Sequence, residues 1–201
     1  MSRGAKPGQF RGVSAAREKL KKTMEKFSSK EQVMVGVPAG SGSGEDGTSI
    51  VEYATYNEFG ATVKHPGGTS YGYKTEKDAI AGKVRFLKSG QGYMQLGVTG
   101  PHTFDIPERS FLRVPLRQNS DKIKDDFKRL LKMVVEDKLT LNQALNQIGA
   151  KAASISQEAI SAGIAPENAP STIAKKGQGK NTLVDTGRMR QAITWVVRDK
   201  E

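Results

Sequence analysis

The stretch Ile106-Pro107-Glu108-Arg109-Ser110-Phe111-Leu112-Arg113 divides the chain, because mixed strand and loop patterns precede it and helical patterns follow it. Pro107 has a fixed φ and no N–H, so it suits the exit of a strand or the first turn of a helix. Phe111, Leu112 and Val114 supply apolar anchors for packing. The stretch therefore predicts a strand-to-helix corner.

Two arginines of this corner, Arg109 and Arg113, are four residues apart and would share one face of a helix. One interpretation is that both are solvated at an ordinary corner. The other is that they belong to an interface, where guanidinium groups pair with the carboxylates of a partner. Under the second interpretation, Phe59, Phe111 and Trp195 hold the corner and the terminal strand in the core.

The patterns after the corner predict two long amphipathic helices. Ser120 is placed to cap a helix over residues 120–136, and Thr140 to cap one over residues 140–162. Apolar residues recur at helical spacing: Ile123, Phe127, Leu130, Leu131 and Val134 in the first helix, and Leu141, Leu145, Ile148, Ala152, Ile155 and Ala159 in the second. We expect both stripes to be core residues that pack on a sheet.

The patterns before the corner predict shorter elements. They are a helix over residues 14–27 that is capped by Ser14 and carries Leu20, Met24 and Phe27, a strand over 32–37, a glycine-rich loop over 38–47, a helix over 50–59 closed by Gly60, and a strand over 61–65. Residues 66–105 are interrupted by glycines and contain strand-like pieces at 83–87 and 93–98. Such a long interruption predicts a β-rich excursion from the body of the domain.

The last part of the chain predicts a loop, a turn and a strand. The loop covers residues 166–181, and the strand covers 192–198 and carries Trp195. Between them, Asp185 or Thr186 is expected to cap a short helical turn, with Gly187 allowing a tight bend.

These elements predict an α+β fold, in which a small antiparallel or mixed sheet is packed by two long helices. A long β-rich insertion and a flexible basic N-terminal arm complete it. We expect residues 1–13 to be the arm and residues 14–201 to form one domain, with the excursion at about 66–105. A chain of 201 residues is long enough for one such domain.

The charge of the chain favours an acidic partner. There are 32 Lys+Arg and 21 Asp+Glu, for a net charge of +11, and residues 1–30 contribute +7 through nine basic and two acidic side chains. Candidate contacts to DNA or an acidic protein are Arg3, Lys6 and Arg11 in the arm and Lys175, Lys176 and Lys180 in the late loop. No helix-turn-helix, zinc-finger or RNA-recognition pattern is present, so this pattern favours nonspecific DNA binding.

The composition excludes several classes of site and suggests a compartment. The sequence has no cysteine, which excludes disulfides, thiolate metal sites and cysteine nucleophiles. This fits assembly in a reducing cytoplasm. No apolar run approaches the roughly 18 residues of a membrane span, and the start lacks a signal-peptide core, so we expect a soluble, unexported protein.

Two patterns that could bind phosphate or metal lack the necessary context. The glycine-rich loop at 38–47 has no Gly-Lys-Ser/Thr, and Glu45 and Asp46 would repel phosphate. His65 and His102 are the only histidines and do not have the spacing of a metal site. We therefore predict no metal, no cofactor and no small-molecule substrate.

A third pattern, Leu183-Val184-Asp185-Thr186-Gly187, is similar to the signature of aspartic proteases. Only 14 residues follow Gly187 in the chain of 201, whereas such proteases build most of their cleft after the aspartate. No nucleophile-elbow pattern occurs either. The sequence thus predicts that the protein is not an enzyme, and a cryptic hydrolase that uses Asp185 is the third hypothesis.

Three motifs in order carry a family resemblance: Tyr56-Asn57-Glu58-Phe59-Gly60, the corner stretch at 106–113, and Leu183-Val184-Asp185-Thr186-Gly187-Arg188-Met189. Over about residues 30–198 the chain resembles the tail-component and virion-morphogenesis proteins of tailed bacteriophages. In that family, three motifs of these types recur in the same order: a turn like that at 56–60, a corner like that at 106–113 and a turn like that at 183–189. The resemblance implies an α+β neck or tail-completion protein at the head–tail junction, which is a structural ring component.

The resemblance also implies partners and a location. The protein would be a homo-oligomer, a hexamer or a dodecamer, between a portal or head–tail adaptor protein and a tail terminator protein. Genomic double-stranded DNA would pass through its lumen, and assembly would occur in the host cytoplasm without a membrane. The candidate inter-subunit or partner contacts are Glu58, Arg109, Arg113 and Arg188. The alternative function is that of a nonspecific basic DNA-binding protein.

Overall fold

The computed structural model describes residues 11–28, 30–44, 47–88, 91–170, 172–173, 181–184 and 186–200, and for residues 11–16 it describes the backbone alone. It forms two compact units: unit 1 comprises residues 1–54 and 110–201, and unit 2 is Thr55–Arg109. The fold is mixed α and β with small antiparallel sheets and two long helices. This confirms the predicted α+β class.

Helices and strands both occur along the chain. In order they are α1 (Arg11–Lys26), β1 (Glu31–Gly36), α2 (Ile50–Phe59), β2 (Ala61–His65), β3 (Ser70–Tyr73), α3 (Glu76–Ile80), β4 (Arg85–Phe86), β5 (Met94–Val98), β6 (His102–Ile106), α4 (Arg113–Gln118), α5 (Ser120–Val135), α6 (Leu141–Ala162), α7 (Arg188–Ala192) and β7 (Thr194–Asp199). The boundary between the units falls inside α2 and again after Arg109.

Unit 1 is organised around α6. This helix packs on one face of the antiparallel pair β1–β7, where the indole of Trp195 lies against Gly149. A Cβ at Gly149 would overlap Cδ1 and Cγ of the indole, so the absence of a side chain lets the strand approach the helix. The indole Nε1 donates a hydrogen bond to Asn146 Oδ1 at 3.1 Å, so the polar atom of the ring, which is 36% exposed, also has a partner.

Two apolar cores lie on either side of α6. Phe111 has no exposed surface and is in the first core, with Ala54, Ala153, Ile160 and Ile193. The second core lies between α5 and α6 and contains Leu130, Val134 and Ala144. Five residues of the predicted stripes are buried, namely Leu130, Val134, Leu145, Ala152 and Ile155, and the other six are partly buried. α5 packs mainly against α6 and α4, so the prediction that its stripe packs on a sheet is wrong. α6 is buried over a wider arc than its predicted stripe, because it packs against α5 as well as the strands.

The predicted cap of α6 is confirmed. Thr140 Oγ1 accepts a hydrogen bond from the N–H of Gln143 at 3.1 Å, and the N–H of Thr140 donates to Gln143 Oε1 at 2.9 Å. This reciprocal arrangement is a capping box, which supplies partners for two backbone donors at the helix start.

Two other predicted caps are wrong. α5 is preceded by Asn119 and not capped by Ser120, because α4 leads almost directly into it. α7 is preceded by Gly187 in the left-handed region (φ 78°), so Thr186 is not its cap. Asp185 lies outside the described residues.

The first helix differs from its prediction in two ways. α1 begins at Arg11, inside the predicted arm, so Ser14 is within the helix and not at its cap. Its apolar side chains are exposed: Leu20, Met24 and Phe27. At its last turn, Lys26 Nζ donates to Val134 O at 3.4 Å and to the Asp137 carboxylate. The rest of the predicted arm, residues 1–10, lies outside the described residues.

Unit 2 contains a long antiparallel ribbon. β2 pairs with β6 from Ala61 opposite Ile106, and β3 pairs with β5. Between these pairs the N–H of Gly68 donates to Thr99 O at 2.7 Å, which continues the ladder through the glycine-rich break. β4 adds a short third strand to β3. The predicted β-rich excursion is therefore confirmed as strand-rich, with β2 and β6 as its base.

Several elements of unit 2 differ from their predictions. The strand expected at 83–87 is only Arg85–Phe86, and β3, β6 and α3 are additional elements. α3 has five residues, and Thr75 Oγ1 accepts from the N–H of Asp78 to cap it. A helix this short has too few turns to show a 3.6-residue periodicity, so its apolar pattern could not predict it.

Candidate functional site

The first motif and the start of the second lie against each other in unit 2. The N–H of Arg109 donates to Asn57 O at 2.6 Å. Gly60 is in the left-handed region (φ 72°), and an added Cβ would be 3.1 Å from Ile106 O and 3.2 Å from Glu108 N. The turn therefore requires glycine both for its backbone conformation and for the close approach of the two motifs.

One charged side chain of each of these two motifs is buried. Glu58 is 3% exposed and Arg109 is 8% exposed. Burial lowers the pKa of the Arg109 guanidinium, which nevertheless remains protonated at neutral pH. Side chains this deeply buried are not available to a partner at the surface of this chain.

The buried position of Glu58 also corrects the prediction for Phe59. α2 buries Ile50, Ala54 and Glu58, which follow one another at four-residue intervals on one face of the helix. Phe59 is one residue further around the helix and is 59% exposed. The prediction that Phe59 holds the corner in the core is therefore wrong.

The predicted shared helix face of the two arginines is also wrong. α4 begins at Arg113, so Arg109 lies in the irregular segment before the helix. The N–H of Val114 donates to Ser110 Oγ at 3.1 Å, which places Ser110 at the helix start. Val114 itself is exposed, so it is not a packing anchor, whereas Phe111 and Leu112 are in or against the first core. Arg113 is exposed.

The third motif packs in unit 1 against the second half of the second motif. Three of its apolar side chains contact the first core around Phe111: Leu183, Val184 and Met189. Arg188 points away from this core, is exposed, and donates from Nη1 to Ser43 O at 3.2 Å. The motif thus combines apolar residues that hold the core with one exposed guanidinium.

Arg188 lies beside a groove of about 520 Å³ whose wall includes the glycine-rich loop. The start of α2 lies in the same wall, but its donors already have acceptors. The N–H of Ile50 donates to Gly42 O at 3.0 Å, and the N–H of Glu52 donates to Ser49 Oγ at 3.1 Å. A phosphate at this helix start would have to compete with both acceptors.

The two histidines form a cross-strand pair in the ribbon. Their ring centroids are 4.9 Å apart. Nδ1 of His65 accepts from the N–H of Gly67 at 3.0 Å, whereas Nδ1 of His102 lies 3.0 Å from Gly100 O and must donate to it. When neutral, the rings are therefore opposite tautomers, and only His102 presents a lone pair at Nε2. Among the described residues there is no group of three or more side chains suited to hold a metal.

The predicted DNA contacts cannot be placed. The side chains of Arg3, Lys6, Arg11, Lys175, Lys176 and Lys180 all lie outside the described residues. In the described part of α1, the exposed basic side chains are Arg17, Lys19, Lys21 and Lys22.

Residues 70–98 of unit 2, which we call the tip, expose many large apolar side chains. They are Ile80, Val84, Phe86, Tyr93, Met94, Leu96 and Val98. Leu87 is the one large apolar side chain that the described part of the tip buries. Sequence patterns did not indicate this surface, because strand-like spacing does not reveal whether a second layer covers the strand.

Among the described residues, no helix is long and apolar enough to cross a bilayer. Comparison with protein-family models, with curated proteins and with solved structures found no match. The function is therefore inferred from the motifs and from the surface of this chain.

Proposed function

We propose that this protein is a structural subunit of the neck of a tailed bacteriophage, where it acts in tail completion and head–tail joining. The observation that carries the proposal is that the three motifs of the family resemblance are not scattered. The first lies against the second in unit 2, and the third packs in unit 1 against the core that contains Phe111 of the second. Motifs that pack against one another in this way are expected when the proteins that carry them share a fold.

The exposed surface supports assembly into an oligomer. The tip carries seven large apolar side chains in water. Monomeric proteins rarely expose large apolar patches, and such patches usually mark interaction sites. Head-to-tail contacts between identical subunits can close into a ring. In a hexamer or a dodecamer around the DNA channel, such contacts would cover this surface.

Two exposed arginines are the proposed contacts with neighbours or with the portal, adaptor and terminator proteins. Arg113 at the start of α4 and Arg188 at the start of α7 are both exposed. Both belong to the motifs, yet neither side chain is needed to fill a core. A guanidinium group at the surface is well suited to pair with a carboxylate of a partner.

The test compares Arg113→Glu with Arg117→Glu, a matched charge reversal in the last turn of the same helix. We expect Arg113→Glu to lower the yield of complete virions, while its unfolding midpoint stays near that of the wild type. The Arg117→Glu control should assemble normally. Complete virions at wild-type yield from Arg113→Glu would contradict the proposed contact. Complete virions that do not contain this protein would contradict the neck assignment.

A nonspecific DNA-binding protein is the second candidate, and the exposed basic residues of α1 favour it. The measurement is the mass of the purified chain by light scattering, with and without duplex DNA, across salt concentration. A monomer that binds duplex tightly, with log affinity falling by about 0.9 per phosphate contact for each unit of log salt, would support this candidate. A ring-sized species, or a monomer indifferent to DNA, would support the neck subunit.

A further inference from the structure

The first helix carries an apolar stripe that remains in water. Leu20, Met24 and Phe27 are 60%, 65% and 38% exposed. With 3.6 residues per turn, these side chains lie within about 60° of the helix circumference, and we call them the α1 stripe. Among the described residues, no other helix or strand packs along α1. The helix is joined to the rest of unit 1 at its last turn, where Lys26 Nζ donates to Val134 O at 3.4 Å.

A helix in this state would gain stability from a partner. Isolated helices shorter than about 12–15 residues are marginal in water, and most helices in proteins are stabilised by the packing of an apolar face. α1 has 16 residues and is held at its last turn. Covering the α1 stripe would therefore stabilise the helix and remove three apolar side chains from water.

The charges of α1 are arranged around the stripe. Arg17 and Lys21 lie on one side of it and Lys19 lies on the other, each within about 100° of the stripe, and all three are exposed. Glu18 and Glu25 lie on the far side of the helix, about 140° or more from the stripe. A surface that covers the stripe would thus meet positive charge at both edges and neither glutamate.

We propose that α1 docks in the apolar groove of an acidic protein. The α1 stripe supplies the anchors, and the basic side chains beside it pair with carboxylates at the edges of the groove. Anchors at positions i, i+4 and i+7 have the spacing by which an amphipathic helix is held in a groove. The inference goes beyond the neck function and does not depend on it, because it rests on this helix alone.

The stripe and the charges together favour an acidic protein over three other occupants. A second copy of α1 would bring the same positive edges together, and like charges at an interface repel. Duplex DNA offers phosphates to the basic side chains but would leave the stripe in water. A helix that lies in a bilayer surface buries a wide apolar face, whereas the α1 stripe covers about 60° of the circumference.

Calcium-loaded calmodulin is a suitable probe for this chemistry, because its apolar, Met-rich groove binds amphipathic helices. Removal of calcium closes the groove, so the same protein serves as its own control. The measurement is calorimetric titration of the full chain with each form of the probe. We expect saturable binding of the calcium-loaded form, and binding of the calcium-free form that is weaker by at least about tenfold. A purely ionic contact would not need the open groove.

The first variant tests the anchors. Leu20→Ser/Met24→Ser removes two side chains of the α1 stripe and should weaken binding of the calcium-loaded probe by at least about tenfold. Circular dichroism of the variant measures whether helix content is kept.

A pair of charge reversals tests the edges and stays informative if the anchor variant loses helix. Lys21→Glu reverses a charge beside the stripe, and Lys22→Glu reverses one on the far side. Each places a glutamate four residues from an existing one, Glu25 or Glu18, so the two changes should affect the helix equally. We expect Lys21→Glu to weaken binding more than Lys22→Glu does.

Several outcomes would overturn the docking. They are the absence of binding, equal binding of the two forms of the probe, equal losses from the two charge reversals, and binding that the anchor variant keeps together with its helix content. Tight binding of the wild type to phosphatidylglycerol vesicles that the anchor variant loses would assign the stripe to a lipid surface. A dimer in sedimentation that the anchor variant loses would assign it to a second copy. All of these results leave the neck function to its own test at Arg113.

Discussion

Unit 1 buries Phe111, Val134 and Ile160 almost completely, whereas the described part of the tip of unit 2 buries only Leu87 among its large apolar side chains. Unit 1 packs a long helix between strands and a second helix. Unit 2 is a ribbon whose strands are held mainly by backbone hydrogen bonds. The difference teaches that apolar side chains do different work in the two regions: in unit 1 they stabilise the fold, and in the tip most of them stay exposed.

This comparison has a consequence for stability within the chain. An antiparallel sheet of two or three short strands needs a covered apolar face for independent stability. Regions with few buried apolar contacts open at lower free energy than cores. We therefore expect the tip to open more readily than the α6 core, and to gain protection when its apolar face is covered.

The largest effect should come from removing a ring that unit 1 buries. Phe111→Ala should lower the free energy of unfolding by about 3–5 kcal/mol, because it leaves a cavity in the first core. Phe86→Ala is the matched change in the tip and should alter it by no more than about 0.5 kcal/mol. Denaturant unfolding of both variants measures the contrast. Equal losses of unfolding free energy in the two variants would contradict the difference between the first core and the tip.

An intermediate effect should come from the break in the ribbon. Gly67 has φ 86°, and an added Cβ would be 2.6 Å from Gly100 C and Thr99 O. Gly68 has φ 81° but no atom within 4 Å of such a Cβ. Gly68→Ala should cost about 1–2 kcal/mol from backbone strain alone, and Gly67→Ala should cost more because it also separates the strands.

Hydrogen exchange provides the measurement for this pair. Gly67→Ala should reduce amide protection across β2, β3, β5 and β6, and should leave protection in α6 unchanged. A loss of protection no greater than that of Gly68→Ala would mean that the close backbone approach does not hold the ribbon.

The smallest effect should be a gain in stability within α6. Ser156 is fully buried, and its Oγ has no hydrogen-bond partner among the described residues. Ser156→Ala should raise the free energy of unfolding by about 1 kcal/mol, because an unsatisfied buried hydroxyl is removed. Ser154→Ala is the control in the same helix, where Oγ donates to Glu158 Oε1 at 2.8 Å. Since helix propensity changes equally in both, a smaller gain at Ser156 than at Ser154 would contradict the burial argument.

Much of the α6 region could be predicted because its signals are local. The capping box at Thr140 involves residues three apart, and the apolar stripe repeats within the helix itself. The candidate site was harder to predict. Arg109 and Arg113 have helical spacing, but the strand β6 and the irregular segment after Pro107 delay the helix until Arg113. Spacing alone cannot show which residue begins a helix when a strand competes for the same segment.

By itself, the sequence determined the class of the fold, the positions of α2, α5, α6, β1 and β7, and the glycine that ends α2, because caps, stripes and left-handed turns act within a few residues. Only the tertiary structure decided that Glu58 and Arg109 are buried while Phe59 and the tip are exposed. Burial depends on elements that are distant in the chain, since a side chain leaves water only where another layer covers it. That layer decides which apolar residues stabilise this protein and which remain exposed.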